Sequence, residues 1–320
     1  RGIAAQPGIV LMSDFTQTAV IGAGVIGASW TALFLAAGKD VRAFDPSETA
    51  RADVEDYVTR AWPTLKEIGL AETGRRGSLT FAETPEEAAA GADFVQENVP
   101  ERIDIKLDLY RRIEPHLKPG CIVASSASGL MVKEMQAGWK DPSNFVLGHP
   151  FNPPHLIPLV EIIGNDRTSS TAISAAERFY AEVGKTTIRV NKEVPGHVAN
   201  RLQAALWREA LYLVREGVAS VEDVDRAVWA GPGLRWGAMG PHMLFNLGAG
   251  EGGMKSFCER YADSFHRWWD DLGTMQLDAG IGEILEKGLA DEANGKSVEE
   301  LSEERNALIT AHLKAVKDLR

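Results

Sequence analysis

Residues 18–21 form an apolar run, and an uncharged stretch continues to Gly38. Between them lies Gly22-Ala-Gly24-Val25-Ile26-Gly27, the segment that most constrains how this chain can fold. Glycines at this spacing recur by chance, so their context carries the weight. A strand pattern precedes them, a helical pattern follows, and Asp45 closes the next strand at about the 20-residue distance expected of a dinucleotide-binding βαβ unit. In such a unit the first glycine allows the tight turn, the second lets a pyrophosphate approach the backbone, and the third lets helix and strand pack closely. The helix N-terminus offers unpaired N–H groups and the positive end of its dipole to the phosphates. Asp45 would accept hydrogen bonds from the adenosine ribose hydroxyls and repel a 2′-phosphate. The expected cofactor is therefore NAD rather than NADP.

The same uncharged stretch is long enough to span a membrane, which takes roughly 20 predominantly apolar residues. The glycines crowd its first half, however, and so favour a strand, a turn and a buried helix. Asp14 precedes the run with no basic cluster, unlike a secretory signal. The formal net charge of −11 argues against nucleic acid and against an anionic membrane as partners, because both attract basic patches. Two cysteines, Cys121 and Cys258, exclude a disulfide framework and suit a reducing compartment. The cytoplasm is the expected location.

Apolar runs at 18–21, 41–44, 94–96, 122–124 and 145–147 read as buried strands, with 186–190 as a further candidate. Amphipathic stretches at 28–37, 47–68 and 105–114 lie between them. Alternation of this kind implies an α/β fold, a Rossmann-type doubly wound parallel sheet. After residues 191–196 the pattern becomes almost wholly helical, as at 198–216, 221–229 and 297–319. The last begins Ser297-Val-Glu-Glu300, which fits a capping box. The organisation expected is a leader or expression remnant at 1–13, an NAD-binding Rossmann domain at 14–192 and an all-helical C-terminal domain at 193–320.

Oxidation of an alcohol at a nicotinamide needs a group to take the hydroxyl proton, and histidine titrates near neutrality. His149 follows the 145–147 run, at the carboxyl edge where open α/β sheets bind ligands. It sits in Gly148-His-Pro-Phe-Asn-Pro-Pro154, where three prolines restrict the backbone. Position alone leaves a structural and a catalytic histidine equally compatible. His149 and His155 have no neighbouring cysteine or acidic cluster at metal-ligand spacing, so no metal is expected.

Four segments lie in one order: Ala124-Ser-Ser-Ala-Ser-Gly-Leu130, the 148–154 loop, Pro158-Leu-Val-Glu-Ile-Ile163 and Pro195-Gly-His-Val-Ala-Asn-Arg-Leu202. Together with the glycine turn they resemble the L-3-hydroxyacyl-CoA dehydrogenase family, from about Thr18 through the helical half. The resemblance implies a catalytic His149, a partner carboxylate at Glu161 and polar contacts to the substrate oxygen from Ser128 and Asn200. It further implies a pocket contribution from Asn152, and cofactor-side roles for Glu97 and Lys106 beside Gly22, Gly24, Val25, Ile26, Gly27 and Asp45. Two departures stand out. Ser126 and Ala127 occupy positions where many relatives carry Asn and Thr, and His197 stands where the family is usually apolar.

Within the family, Gln96–Glu101 and Gly233-Leu-Arg-Trp-Gly-Ala-Met-Gly-Pro241 resemble the lambda-crystallin (L-gulonate 3-dehydrogenase) and carnitine 3-dehydrogenase branch. Arg235 then reads as a bidentate clamp for a free substrate carboxylate or, equally, as an ion-pair residue. Trp207, Trp229, Trp236, Trp268 and Trp269 could cage a quaternary ammonium, but core or dimer-interface packing is the commoner use of such side chains. The resemblance implies NAD-linked interconversion of a small L-3-hydroxy carboxylate and its 3-oxo acid, carnitine first and gulonate second. A short acyl-CoA substrate is the nearest alternative, and a non-catalytic crystallin-like protein a more distant one. A homodimer through the helical domain is expected.

Overall fold

The computed structural model describes residues 15–71 and 76–317, and the leader expected at 1–13 lies outside them. The chain divides into two compact units, the first ending at Val198 and the second beginning at Ala199.

The first unit alternates as the sequence suggests. β1 (Gln17–Ile21), α1 (Val25–Ala36), β2 (Asp40–Phe44) and α2 (Ala50–Glu67) open it, followed by β3 (Leu79–Phe81) and α3 (Pro85–Ala89). Next come β4 (Phe94–Glu97), α4 (Ile103–Ile113), β5 (Ile122–Ser125), α5 (Val132–Met135), β6 (Phe145–Pro150), β7 (Leu159–Ile163), α6 (Ser170–Glu182) and β8 (Thr186–Val190). The eight strands form one sheet in the order β3-β2-β1-β4-β5-β6-β7-β8. The order reverses between β1 and β4, the switch point at which such sheets bind ligands beyond their carboxyl ends.

One strand pair departs from the otherwise parallel order. The sheet is not wholly parallel, because β7 runs antiparallel to β6. The loop between these strands holds only eight residues, 151–158, too few for the crossover of a dozen or more residues that a parallel return requires. β6 also runs three residues further than the apolar pattern showed, so His149 lies within a strand rather than after it.

The central strands are covered on both sides, as in other α/β sheets. On one face Phe94 stacks on Phe179 at 3.7 Å, with Trp30, Phe34 and Tyr180 around the pair. The other face packs Ile21, Val95, Leu109, Tyr110, Val123, Phe145 and Leu147 into a second cluster. α1 buries nearly every side chain from Gly27 on, so its uncharged sequence reflects burial on all sides. No helix among the described residues is long and apolar enough to cross a membrane.

The second unit consists of α7 (Ala199–Arg215), α8 (Val221–Ala230), α9 (Pro232–Ala238), α10 (Pro241–Gly248), α11 (Gly253–Asp271), α12 (Ala279–Ala293) and α13 (Val298–Lys317). The expected capping box is formed. Ser297 Oγ accepts from the Glu300 N–H at 3.2 Å, and the Glu300 carboxylate accepts from the Ser297 N–H at 2.8 Å.

Candidate active site

The cofactor cradle is built on the glycine turn. Gly22 has φ +85°, and a Cβ there would sit 2.6 Å from the Asn98 carbonyl carbon, so only glycine fits. A Cβ on Gly27 would meet the Gly22 carbonyl oxygen at 1.9 Å, which closes helix onto strand. A Cβ on Gly24 would meet nothing within 4 Å, so the backbone there is open to a close ligand. α1 starts at Val25 with no side-chain cap and no acid in its first turn, leaving its N–H groups to an anion. Asp45 follows β2, and its carboxylate accepts from the Ala23 N–H at 2.8 Å and the Ser47 N–H at 2.9 Å. Beside it lies a cavity of about 530 Å³ lined by Ile21, Phe44, Asp45, Val99, Pro100 and Leu109, which suits an adenosine group. Glycines, helix end and acid thus fit NAD.

His149 and Glu161 are directly opposed across the antiparallel β6–β7 pair. Glu161 is fully buried and His149 is 5% exposed. The His149 Nδ1 lies 2.8 Å from Glu161 Oε2, while the Val198 N–H donates to Oε1 at 2.9 Å. Both carboxylate oxygens are therefore engaged, which holds the acid in one rotamer. A carboxylate only accepts, so Nδ1 carries a proton, and in the neutral form of the ring Nε2 keeps a lone pair. A neutral imidazole held in this way can take a proton at Nε2, and the buried acid beside it stabilises the resulting cation.

Ser128 follows β5, the strand next to β6, and so reaches the same carboxyl edge of the sheet. Its setting shows a residue that the sequence did not reveal. Glu101, after β4, accepts from the Ser128 hydroxyl at 2.8 Å, from the Ser128 and Leu130 N–H groups at 3.0 Å each, and from the Gly129 N–H. Burial alone would raise the Glu101 carboxyl, but the Gly129, Ser128 and Leu130 donors outweigh it and hold the group below its usual range. The Ser128 proton points to Glu101 here, so donation to a substrate oxygen requires the hydroxyl to turn. A contact spanning 27 residues leaves no local pattern to read.

Glu97 and Lys106, expected on the cofactor side, are enclosed in this structure. They are 0% and 1% exposed and pair with each other at 2.5 Å. Tyr110 and Ser125 donate to the second Glu97 oxygen, and Glu97 Oε1 accepts from the Val99 N–H. The network fixes the turn that carries Glu101. Ser126, one of the departures, donates to Asn98 at 2.7 Å and accepts from Gln96 and Trp30.

Asn152 is exposed in the proline loop. That loop is pinned from below by buried Lys185, which donates to the carbonyls of Pro154 and of Ile157, the latter at 2.7 Å. His155 is held by Ser29 and Tyr57. In the helical unit, Asn200 is half-buried in the first turn of α7. Arg235 is exposed on α9 with no ion-pair partner among the described residues, so the ion-pair reading has no support. The indoles are not core residues: Trp207, Trp229, Trp268 and Trp269 are 50%, 65%, 58% and 60% exposed.

Two family profiles match the chain: 3-hydroxyacyl-CoA dehydrogenase, NAD binding domain, over residues 17–194, and 3-hydroxyacyl-CoA dehydrogenase, C-terminal domain, over residues 196–289. An L-carnitine dehydrogenase of Streptomyces coelicolor is 45% identical over 299 residues, covering 93% of this chain and 94% of that protein. An L-carnitine dehydrogenase of Pseudomonas aeruginosa is 40% identical over 309 residues, covering 97% and 96%. Among solved structures, the NAD-dependent 5-formyl-3-hydroxy-2-methylpyridine 4-carboxylic acid 5-dehydrogenase superposes with a TM-score of 0.81 at 29% identity. That match covers 95% of this chain and 99% of the other.

Proposed function

This chain belongs to the 3-hydroxyacyl-CoA dehydrogenase family and is an NAD-dependent dehydrogenase acting on a hydroxyl group; from that premise we propose that its substrate is L-carnitine, oxidised at C3 to the 3-oxo acid. The observation that carries the chemistry is the buried His149–Glu161 pair at 2.8 Å, at the carboxyl end of β6 in the sheet whose β1 leads into the dinucleotide turn. The choice of substrate is supported by the likeness to L-carnitine dehydrogenases over more than nine-tenths of the chain. Exposed Arg235, with no carboxylate partner of its own among the described residues, adds support for a free acid.

The cofactor would be held by Gly22, Gly24 and Gly27, the N–H groups of Val25 and Ile26, and Asp45. When bound, it supplies the acceptor for the hydride from C3. His149 Nε2 accepts the hydroxyl proton, and Glu161 keeps Nδ1 protonated and steadies the imidazolium. Ser128, turning from Glu101, contributes a contact to the alcohol oxygen, and Asn200 retains the role that the family resemblance implies. NADH formation over carnitine, gulonate, 3-hydroxybutyrate and 3-hydroxybutyryl-CoA tests the reading. Carnitine should be the preferred substrate, and turnover of the thioester with no free acid oxidised would overturn it.

A homodimer through the helical unit belongs to the same proposal. α9, α10 and α11 bury no side chain within the chain, and their exposed indoles and aliphatic groups form an apolar surface of the kind that marks interfaces. Sedimentation should give twice the chain mass, and Trp268→Glu should reduce it to one. The cysteine usage supports a cytoplasmic location.

A further inference from the structure

Besides His155, which Ser29 and Tyr57 hold, the first unit has a further buried imidazole that this reaction does not use. His197 is 4% exposed, and neither of its ring nitrogens has a hydrogen-bond partner among the described residues. Its ring centroid lies 5.3 Å from that of His149, with the planes inclined at 60°. Its backbone is strained, because φ is +51°, in the left-handed region that side-chain-bearing residues avoid. The turn that imposes this conformation also serves the catalytic pair. The His197 N–H closes it onto the Val194 carbonyl at 3.0 Å, and the next N–H, that of Val198, reaches Glu161.

Strain, burial and two unpaired nitrogens are each unfavourable, and together they are poor choices for packing alone. An apolar side chain would fill the same volume and leave no donor unsatisfied. Beside a reacting base, these features describe a group made to meet a ligand.

We propose that His197 is a substrate-binding residue, a neutral imidazole whose ring N–H donates to a carboxylate oxygen of the 3-hydroxy acid while His149 takes the hydroxyl proton. This rests on the reading of the substrate as a free 3-hydroxy carboxylate. Only one methylene separates the carbinol carbon from the carboxylate, so such a molecule presents two oxygens to two adjacent rings. The charge balance agrees with a division of labour. Burial, then the neighbouring His149, lowers the His197 pKa, and Glu161 and Glu101 oppose this only in part. The one fully buried acid here, Glu161, bonds to His149 and not to His197. When His149 becomes cationic, His197 therefore stays neutral and keeps one N–H to donate.

The test compares His197→Phe and His197→Asn with the wild-type enzyme, using carnitine and carnitine methyl ester as substrates. Phe keeps a ring without a donor, whereas Asn supplies an N–H donor and tolerates the left-handed backbone. His197→Phe should raise KM for carnitine about ten- to hundredfold, the effect of losing a hydrogen bond to a charged group, with a smaller change in kcat. It should also lose the wild-type preference for the acid over the ester, and Asn should restore part of both. NAD affinity and the thermal midpoint report whether each variant is folded. Should neither fold, imidazole 15N spectra of the wild-type protein decide the matter. Adding carnitine to the NADH complex should move the signals of His149 and His197, and movement of His149 without His197 overturns the proposal. Oxidation of carnitine by wild type with unchanged KM and unchanged acid–ester preference in His197→Phe would overturn the role of His197 alone. Turnover of only the thioester by wild type would overturn the substrate reading along with it.

Discussion

His149 and Glu161 are register partners across the only antiparallel strand pair in the described sheet, and their side chains meet at 2.8 Å on one face of it. The sheet itself sets this geometry, since directly opposed residues project to the same side. The proposed base is thus oriented by a strand pair rather than by a loop. This predicts a large and specific cost for disturbing either partner.

His149→Ala should retain NAD affinity and lose at least about a hundredfold in kcat, the low end of general acid–base catalysis. Glu161→Gln preserves the shape but offers an amide that can donate as well as accept, so the Nδ1 tautomer is no longer enforced. A loss of about 10²–10⁴ in kcat is expected there. Stopped-flow NADH formation together with cofactor titration checks both variants. Near-normal turnover in either would refute the assignment.

Glu101 is predicted to act through Ser128. Glu101→Ala removes the acceptor shared by the hydroxyl and the three N–H groups of the 128–130 turn. We expect kcat/KM to fall about ten- to hundredfold, comparable to the loss of a charged hydrogen bond. Glu101→Gln, which keeps one acceptor oxygen, should recover part of it. Equal loss in both variants would mean that the charge rather than the cap is what matters.

Asp45→Ala tests cofactor choice. Without the carboxylate the ribose hydroxyls lose their acceptor and a 2′-phosphate loses its repulsion. KM for NAD should rise about ten- to hundredfold, and the ratio of kcat/KM for NAD over NADP should fall with it. An unchanged ratio would place the discrimination elsewhere.

Lys185 makes stability depend on pH. It is 8% exposed beneath the proline loop, and burial pushes its amine down to about 7. The unfolded chain titrates this group near 10.4. Between these values the unfolded state binds more protons than the native state, so stability rises with pH. The slope is at most about 1.4 kcal/mol per pH unit. Below about pH 7 both states are protonated and the contribution is flat. Urea unfolding of wild type and Lys185→Met should therefore diverge, with wild type gaining as pH rises from about 7 to about 10. Parallel curves would show that Lys185 is charged in the native protein throughout that range.

What the amino-acid sequence determined by itself was whatever rests on neighbouring residues. The glycine turn, Asp45 at the end of the next strand, the alternation of strand and helix and the Ser297–Glu300 cap all depend on spacings that backbone geometry converts directly into structure. His149 and Glu161 were legible through the family resemblance, but not their opposition, which depends on β7 running back antiparallel to β6. Tertiary structure alone decided the rest. Glu97 and Lys106 look like available charges until the fold closes over both, and Glu101 finds the Ser128 turn only when β4 and β5 lie side by side. The indoles of the helical unit read as core or dimer-interface residues and lie exposed in the single chain, because side-chain type specifies a preference for burial and the packing of whole elements decides which surfaces are covered.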